Sequence, residues 1–366
     1  MAVEASASKP KRRRELNPQL IPGLLMGAPA FLLLLVFLIG PFLSGFYFSL
    51  TDQRLISPDP AEMVGLRNYK RLLSLNLLVL DPEIDPETGQ PALDEEGAVV
   101  FPRSRAFTRD EENYPQYAGL REWFSVDVGD QRYVVLAGDP TFYRGLVNNV
   151  LFALAVIPLQ MGIGLGLAIL VNQQLAGRNF FRTIYFAPVV MSMVVVSYLW
   201  RFLYDQHNGL INSFLGVFGL APVNWLGDPG TALPAIIIMS VWQGVGMQMV
   251  LFLAGLQGIP GSLYEAASID GANAWQKFRN VTLPGLRNTT IFIFVVITIA
   301  AFQLFTQPWT MTQGGPEDAT TTTVLRMVVK GYREQDIAYA AAITVVFFFI
   351  ILAINLVQRR VLREEA

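Results

Sequence analysis

Two groups of side chains could do chemistry in this 366-residue chain. The first is a set of amides beside aromatic rings within long apolar runs: Trp242, Gln243 and Gln248 in one run, and Phe302, Gln303, Phe305 and Gln307 in another. An amide both donates and accepts hydrogen bonds, and an aromatic face covers the apolar side of a sugar ring. Such a set therefore suits a neutral hydroxylated ligand. The competing reading is hydrogen bonding between helices, which is common for polar side chains in membranes. Asn148, Asn149 and Arg201, near the ends of such runs, are weaker candidates for the ligand role. No charged pair occupies the middle of a run, which argues against a proton-coupled carrier. The second group is the segment 258–286. Ser262, followed three residues later by Glu265 and preceded by Pro260, has the pattern of a capped helix start. Leu263, Ala266, Ala267 and Ile269 give this helix a broad apolar side, and Gly271 is placed to terminate it. A second turn presents Trp275 and Phe278, and Leu283 with Pro284 is expected to stop the segment. A short helix with exposed apolar groups is either a docking element or an interfacial helix lying on the bilayer. Periodicity leaves both open.

What the chain lacks excludes other chemistries. It has no cysteine and a single histidine, His207, which rules out thiolate catalysis, a disulfide framework and a histidine-based triad or metal cluster. It has no Gly-x-x-x-x-Gly-Lys-Ser/Thr phosphate loop, so ATP that drives it must bind another polypeptide. No span or loop offers a convergent catalytic set, and the chain is read as a non-enzyme with no cofactor of its own. The formal net charge of −2 argues against nucleic acid as a partner.

The elements that must position these residues belong to a membrane. Hydrophobic residues make up 52% of the chain and charged residues 15%, against about 25% charged in soluble domains. The mean hydropathy is +0.41. Six runs reach the roughly 20 residues that a bilayer demands, at 21–50, 143–171, 182–204, 233–256, 289–310 and 337–357. They are too long for barrel strands, and backbone groups in lipid must be satisfied within the segment, so six transmembrane helices are predicted. The fold class expected is an all-α polytopic membrane protein. The first run is no signal peptide: it is too long, lacks a small-residue cleavage site and continues through Phe46, Tyr47 and Phe48. Pro188 near the middle of the third run predicts a kink, and 208–219 reads as a short surface helix or re-entrant turn. Basic residues in short loops (Lys9, Lys11, Arg12, Arg13 and Arg14; Arg178 and Arg182; Lys277, Arg279 and Arg287; Arg359, Arg360 and Arg363) fall on one side of a six-span topology. Both termini are then cytoplasmic.

On the other face lies an insertion of about 90 residues, 51–140. It opens with an amphipathic stretch at 66–73, continues as an acidic region rich in proline and glycine, and ends in a stretch, 123–136, that suits a strand or hairpin. Tyr114, Tyr117, Trp123, Phe124 and Tyr133 give it something to bury, so an ordered unit is expected. The expected organisation is a tail at 1–20, span one at 21–50, the insertion at 51–140, a core at 141–358 carrying the loop 258–285, and a tail at 359–366.

The order Glu265, Ala266, Ala267, three residues, Gly271, nine residues, Val281, one residue, Leu283, Pro284 resembles the EAA loop of ABC importer permeases. Asp270 before Gly271, with Trp275 and Phe278 beyond, looks like the branch that imports sugars and related polyols. The run Met311, Thr312, Gln313, Gly314, Gly315, Pro316 after span five is similar to the outer loop of maltose F-type and glycerol-phosphate A-type permeases. The resemblance implies a type I importer fold, with the insertion between spans one and two on the extracytoplasmic side. It also implies a coupling helix in which Glu265, Ala266, Ala267, Asp270, Gly271, Leu283 and Pro284 meet an ATPase. The partners it implies are a second homologous permease, two ATPase subunits holding ATP and Mg, and an extracytoplasmic solute-binding protein, in a prokaryotic plasma membrane. The same architecture could carry a peptide or polyamine, and a stand-alone secondary carrier is the reading from another class.

Overall fold

Apolar length decides the first element. In a computed structural model of the chain, residues 20–57, 59–87, 89–95, 97–173 and 177–362 are described, and the basic residues from Lys9 to Arg14, with Arg363, lie outside them. Helix α1 (Leu20–Leu34) passes through a π turn (Leu35–Ile39) into α2 (Gly40–Ser49), apolar and exposed along most of its length, as lipid contact requires. The amide of Asn68 then ties the short α3 (Arg67–Leu73) to the end of α2, donating to the carbonyls of Ser49 (2.9 Å) and Thr51 (2.8 Å).

The insertion is ordered around a three-stranded antiparallel sheet. Its strands are β1 (Leu75–Leu80), β2 (Arg121–Val128) and β3 (Gln131–Ala137) in the order β1-β3-β2, with α4 (Ser104–Arg109) between β1 and β2 in the chain. The predicted hairpin is β2–β3, turning at Gly129, whose φ of +64° suits a residue without Cβ. Leu78, Leu80, Val134 and Leu136 alternate onto one buried face under Phe101, Phe107, Tyr117 and Leu120. Of the aromatics expected to build this core, Tyr117 joins it and Tyr114 packs against Phe107. Trp123 instead meets Tyr143 of the next helix at 5.1 Å, and Phe124 stays exposed.

The remaining chain is helical. Asp139 caps α5 (Pro140–Asn172) by accepting from Phe142 N at 3.1 Å. Next come α6 (Arg178–Val190) and α7 (Met193–Leu203), and these correct the expectation of a single kinked rod at 182–204. The two axes differ by 100°, because Met191 and Ser192 adopt extended backbone just beyond Pro188, which sits in the last turn of α6. The expected surface helix is α8 (Leu210–Val217). It is followed by α9 (Pro229–Gln257), capped by Asp228, then by α10 (Gly261–Ile269), α11 (Ala274–Lys277) and α12 (Leu283–Gly285). The last elements are α13 (Arg287–Phe302), α14 (Thr306–Met311), α15 (Thr323–Val328) and α16 (Ile337–Val361). Among the described residues, five stretches are long and apolar enough to cross a membrane, and six if the bent α6–α7 pair counts as one.

Helix α9 is the hub of the core, burying Ala235, Ile236, Met239, Met249 and Phe252 among residues of α5 and α13. It approaches α6 closely at Gly246, where a Cβ would stand 2.2 Å from the carbonyl oxygen of Tyr185. Backbone cannot yield there as a flexible side chain could. Gly246→Val is accordingly expected to destabilise the protein by about 3 kcal/mol through overpacking, read as a lower Tm of the purified chain. An unchanged Tm would show that α6 moves aside at little cost.

Candidate functional site

The loop between α9 and α13 folds as two short helices held to each other. Pro260, not Ser262, occupies the N-cap of α10, and no side chain caps that end. The expected Ser262–Glu265 capping box is therefore not formed: helical geometry already begins at Gly261, two residues too early for Ser262 to act as the cap. The capping box that does form is on α11, where Gln276 N donates to Asn273 Oδ1 (2.9 Å) and Asn273 N donates to Gln276 Oε1 (2.7 Å). Gly271 terminates α10 as expected. With φ at +74° it lets Ala272 N reach Ala267 O (2.9 Å) while Gly271 N bonds Ser268 O (3.1 Å), a Schellman ending. Lys277 Nζ then bonds Ser268 Oγ at 2.7 Å, and the hydroxyls of Tyr264 and Thr282 lie 3.0 Å apart, so the two helices hold each other.

This knob presents apolar groups with nothing over them. Ile269 is 87% exposed and Trp275 64%, with Leu263 and Leu283 also exposed. Glu265, Ala266, Asp270, Gly271 and Pro284 share that surface, while Ala267 is half-buried. Leu283 and Pro284 do not stop the segment. A π turn (Phe278–Thr282) runs from α11 into α12, and Leu286 N to Thr282 O (2.9 Å) with Thr290 N to Leu286 O (2.8 Å) carries the helical path into α13. The wider turn ahead of Pro284 accommodates a ring that lacks an N–H.

The amide set divides. Gln248 is buried and donates to Gln160 Oε1 (3.3 Å), which in turn donates through Nε2 to Ser240 O (2.9 Å), so Gln248 ties α9 to α5. Phe302 is buried near the ring of Phe347. Trp242 is partly exposed, edge-on to Trp200 at 5.6 Å. Gln243 and Gln307 are half-buried and Gln303 is exposed, and none of the three has a side-chain hydrogen bond among the described residues.

Gln303 stands at an interruption of the fifth span, between α13 and α14. The carbonyls freed there are satisfied from outside the span: Asn149 Nδ2 donates to Phe302 O (3.1 Å), and Thr322 Oγ1 donates to Leu304 O (2.7 Å). Irregular backbone at membrane depth survives only with such partners. Asn148 completes the latch by donating to the carbonyls of Asp318 (3.0 Å) and Thr321 (2.8 Å), and Asn149 Oδ1 accepts from Thr323 N (3.0 Å). Both asparagines, weak ligand candidates from sequence, are committed to holding this loop. The run of threonines at 320–323 was the one sequence signal for it.

A second unforeseen network centres on Asp139. Its Oδ2 accepts from Arg326 Nε (3.1 Å) and Nη2 (3.0 Å) and from the Tyr339 hydroxyl (3.0 Å), joining the start of α5 to α15 and α16. Among the described residues no group of three or more His, Cys, Asp or Glu could hold a metal ion.

Residues 160–364, more than half of the chain, match the family described as binding-protein-dependent transport system inner membrane component. The probable ABC transporter permease protein YurN of Bacillus subtilis is 37% identical over 254 residues, 67% of this chain and 87% of that protein. The trehalose/maltose transport system permease protein MalF of Thermococcus litoralis is 34% identical over 234 residues, 64% of this chain and 79% of that protein. A chain in the crystal structure of a bacterial ABC transporter involved in the import of the acidic polysaccharide alginate is 26% identical, with a TM-score of 0.54 over 61% of this chain and 80% of that one. The chain belongs to the family of binding-protein-dependent transport system inner membrane components. It is a mainly helical, multi-pass permease of the ABC importer type.

Proposed function

We propose that this chain is the permease subunit of an ATP-driven importer for a sugar or sugar-like solute, and that the α10–α11 knob docks on a separate ATPase. The exposed apolar surface around Ile269 and Trp275, built on the EAA pattern, carries the reading. Glu265, Ala266, Ala267, Asp270, Gly271, Leu283 and Pro284 form or border the contact. The relatives named for trehalose/maltose, arabinooligosaccharides and diacetylchitobiose support the solute class. The partners are a second homologous permease, two ATPase copies that hold ATP and Mg, and an extracytoplasmic binding protein. Both termini and the knob face the cytoplasm, and the insertion faces outward. ATP-driven closure of the ATPase pair draws the knobs together and opens the solute path outward, and hydrolysis resets it, a population shift between two arrangements.

The absence of native cysteine makes the docking directly testable. Ile269→Cys should cross-link to a single cysteine in the cleft of the co-purified ATPase subunit, with a yield that changes on adding nucleotide. An intact complex without cross-link would remove α10 from that interface.

The path past the α13–α14 break carries the solute, with Gln303, Gln307, Gln243 and Trp242 facing it and Gln248 and Phe302 supporting it from behind. Gln303→Ala is expected to raise the KM for uptake about tenfold, the worth of one lost hydrogen bond, with assembly unchanged. An unchanged KM would move the solute path elsewhere.

A further inference from the structure

We propose that the chain carries a site for an anionic phospholipid on the insertion side of the membrane, with arginines holding the headgroup phosphate and Trp123, Phe124 and Val147 lining the start of the acyl path. The inference rests on the membrane placement of α5 and is independent of the solute carried.

A cavity of about 980 Å³ lies where α4, β2 and the start of α5 meet the loop after α14 and the segment after α15. Seven cationic side chains and four carboxylates line it. All four carboxylates are already engaged. Asp139 holds Arg326 and Tyr339, and Glu334 pairs with Arg326 and Lys330. Asp318 accepts from Thr141 and Thr321, and Glu122 accepts from Ser104. The cations are in surplus. Arg105, Arg109 and Arg121 are exposed and have no side-chain partner among the described residues, and Arg144 donates only to the main-chain carbonyl of Glu317 (2.8 Å). Unpaired guanidinium groups around a concave space fit an anion with several oxygens, such as a phosphate diester.

The neighbouring surface distinguishes a lipid from a soluble anion. A second hollow, of about 560 Å³, shares Arg144 and Asp318 with the first and is lined by Trp123, Phe124 and Val147 together with Asn148, Glu317 and Ala319. From it the exposed residues Val147, Val150, Leu151 and Leu154 continue down α5, one apolar stripe along a membrane span. A charged pocket that opens onto apolar surface at the end of a span matches the two halves of a phospholipid. The ring of Trp123 packs on Tyr143 in the first turn of α5, at the end of the span, and indoles are favoured at such ends.

The test uses the full-length chain in its assembled importer, carried in nanodiscs of equimolar phosphatidylcholine and phosphatidylglycerol, with lipid retained after detergent extraction counted by native mass spectrometry. Wild type is expected to retain phosphatidylglycerol over phosphatidylcholine. Arg121→Gln and Arg144→Gln should each reduce that preference about fivefold, while Arg121→Lys keeps it. Equal retention of the two lipids by wild type overturns the site, whatever the variants do. So does an unchanged preference in a folded Arg121→Gln/Arg144→Gln protein. Full displacement of the lipid by millimolar glycerol phosphate would also overturn it, by assigning the pocket to a soluble anion.

Discussion

Glu265→Lys is expected to lower solute uptake by at least about 100-fold while the chain still inserts and folds. Glu265 is exposed on α10 and has no side-chain partner among the described residues, so the chain's own stability has little to lose. The ends of α10 are held by backbone, through Gly271 and Ala272, and by the Lys277–Ser268 contact, none of which involves Glu265. In the proposed docking the damage falls at the contact, where a reversed charge would be buried against a partner selected for the original sign. Such a mismatch costs several kcal/mol, which corresponds to about 100-fold or more in association. Uptake and binding-protein-stimulated ATPase activity in vesicles, with expression and Tm measured alongside, separate the two cases. Normal uptake would remove Glu265 from the contact, and an unfolded protein would place it in the structure of the loop.

Asp139→Ala should act in the opposite manner, on stability first. Asp139 is 3% exposed and its partner Arg326 16%, so the carboxylate neutralises a nearly buried guanidinium. Removing it leaves that charge, the Tyr339 hydroxyl and the first turn of α5 without their shared acceptor. Breaking a buried pair on one side costs about 3–5 kcal/mol, and the remaining contact of Arg326 with Glu334 moves the value toward the lower end. The expected result is a Tm lower by about 10 °C. Arg326→Met added to Asp139→Ala should recover part of the loss, because no orphaned charge then remains. A double variant no more stable than the single one would assign the loss to the lost cap on α5.

The elements legible from sequence were those set by local rules. Apolar length located five spans within a few residues, and the mixture of aromatic and β-branched residues at 123–136 pointed to the strands of the β2–β3 hairpin. Gly271 was legible as a helix end because only one residue type is comfortable at its φ. Ser262 was misplaced because the same spacing occurs here at the second and fifth residues of the helix, whereas Asn273 and Gln276 have it in the position that forms. The break between α6 and α7 was read only as a kink at Pro188, since extended backbone at Met191 and Ser192 has no residue signature. The roles of Asn148, Asn149 and Asp139 were not legible at all. Each bonds groups more than 150 residues away in the chain, and such pairings exist only after folding. For the amides, sequence could identify polar groups in apolar helices but not separate Gln248, which faces α5, from Gln303, which faces outward.

The helical path that runs unbroken past Pro284 has a mechanical consequence. Because α11, the π turn, α12 and α13 follow one another with only the turn at Leu286 between them, a push received at Trp275 in the proposed docking would pass directly into the fifth span. Farther along that path lies the gap at Gln303, where the carbonyls of Phe302 and Leu304 are clasped by Asn149 and Thr322. In the proposed docking, force delivered at one end of the fifth span would meet that gap at the other, beside the residues proposed to meet the solute.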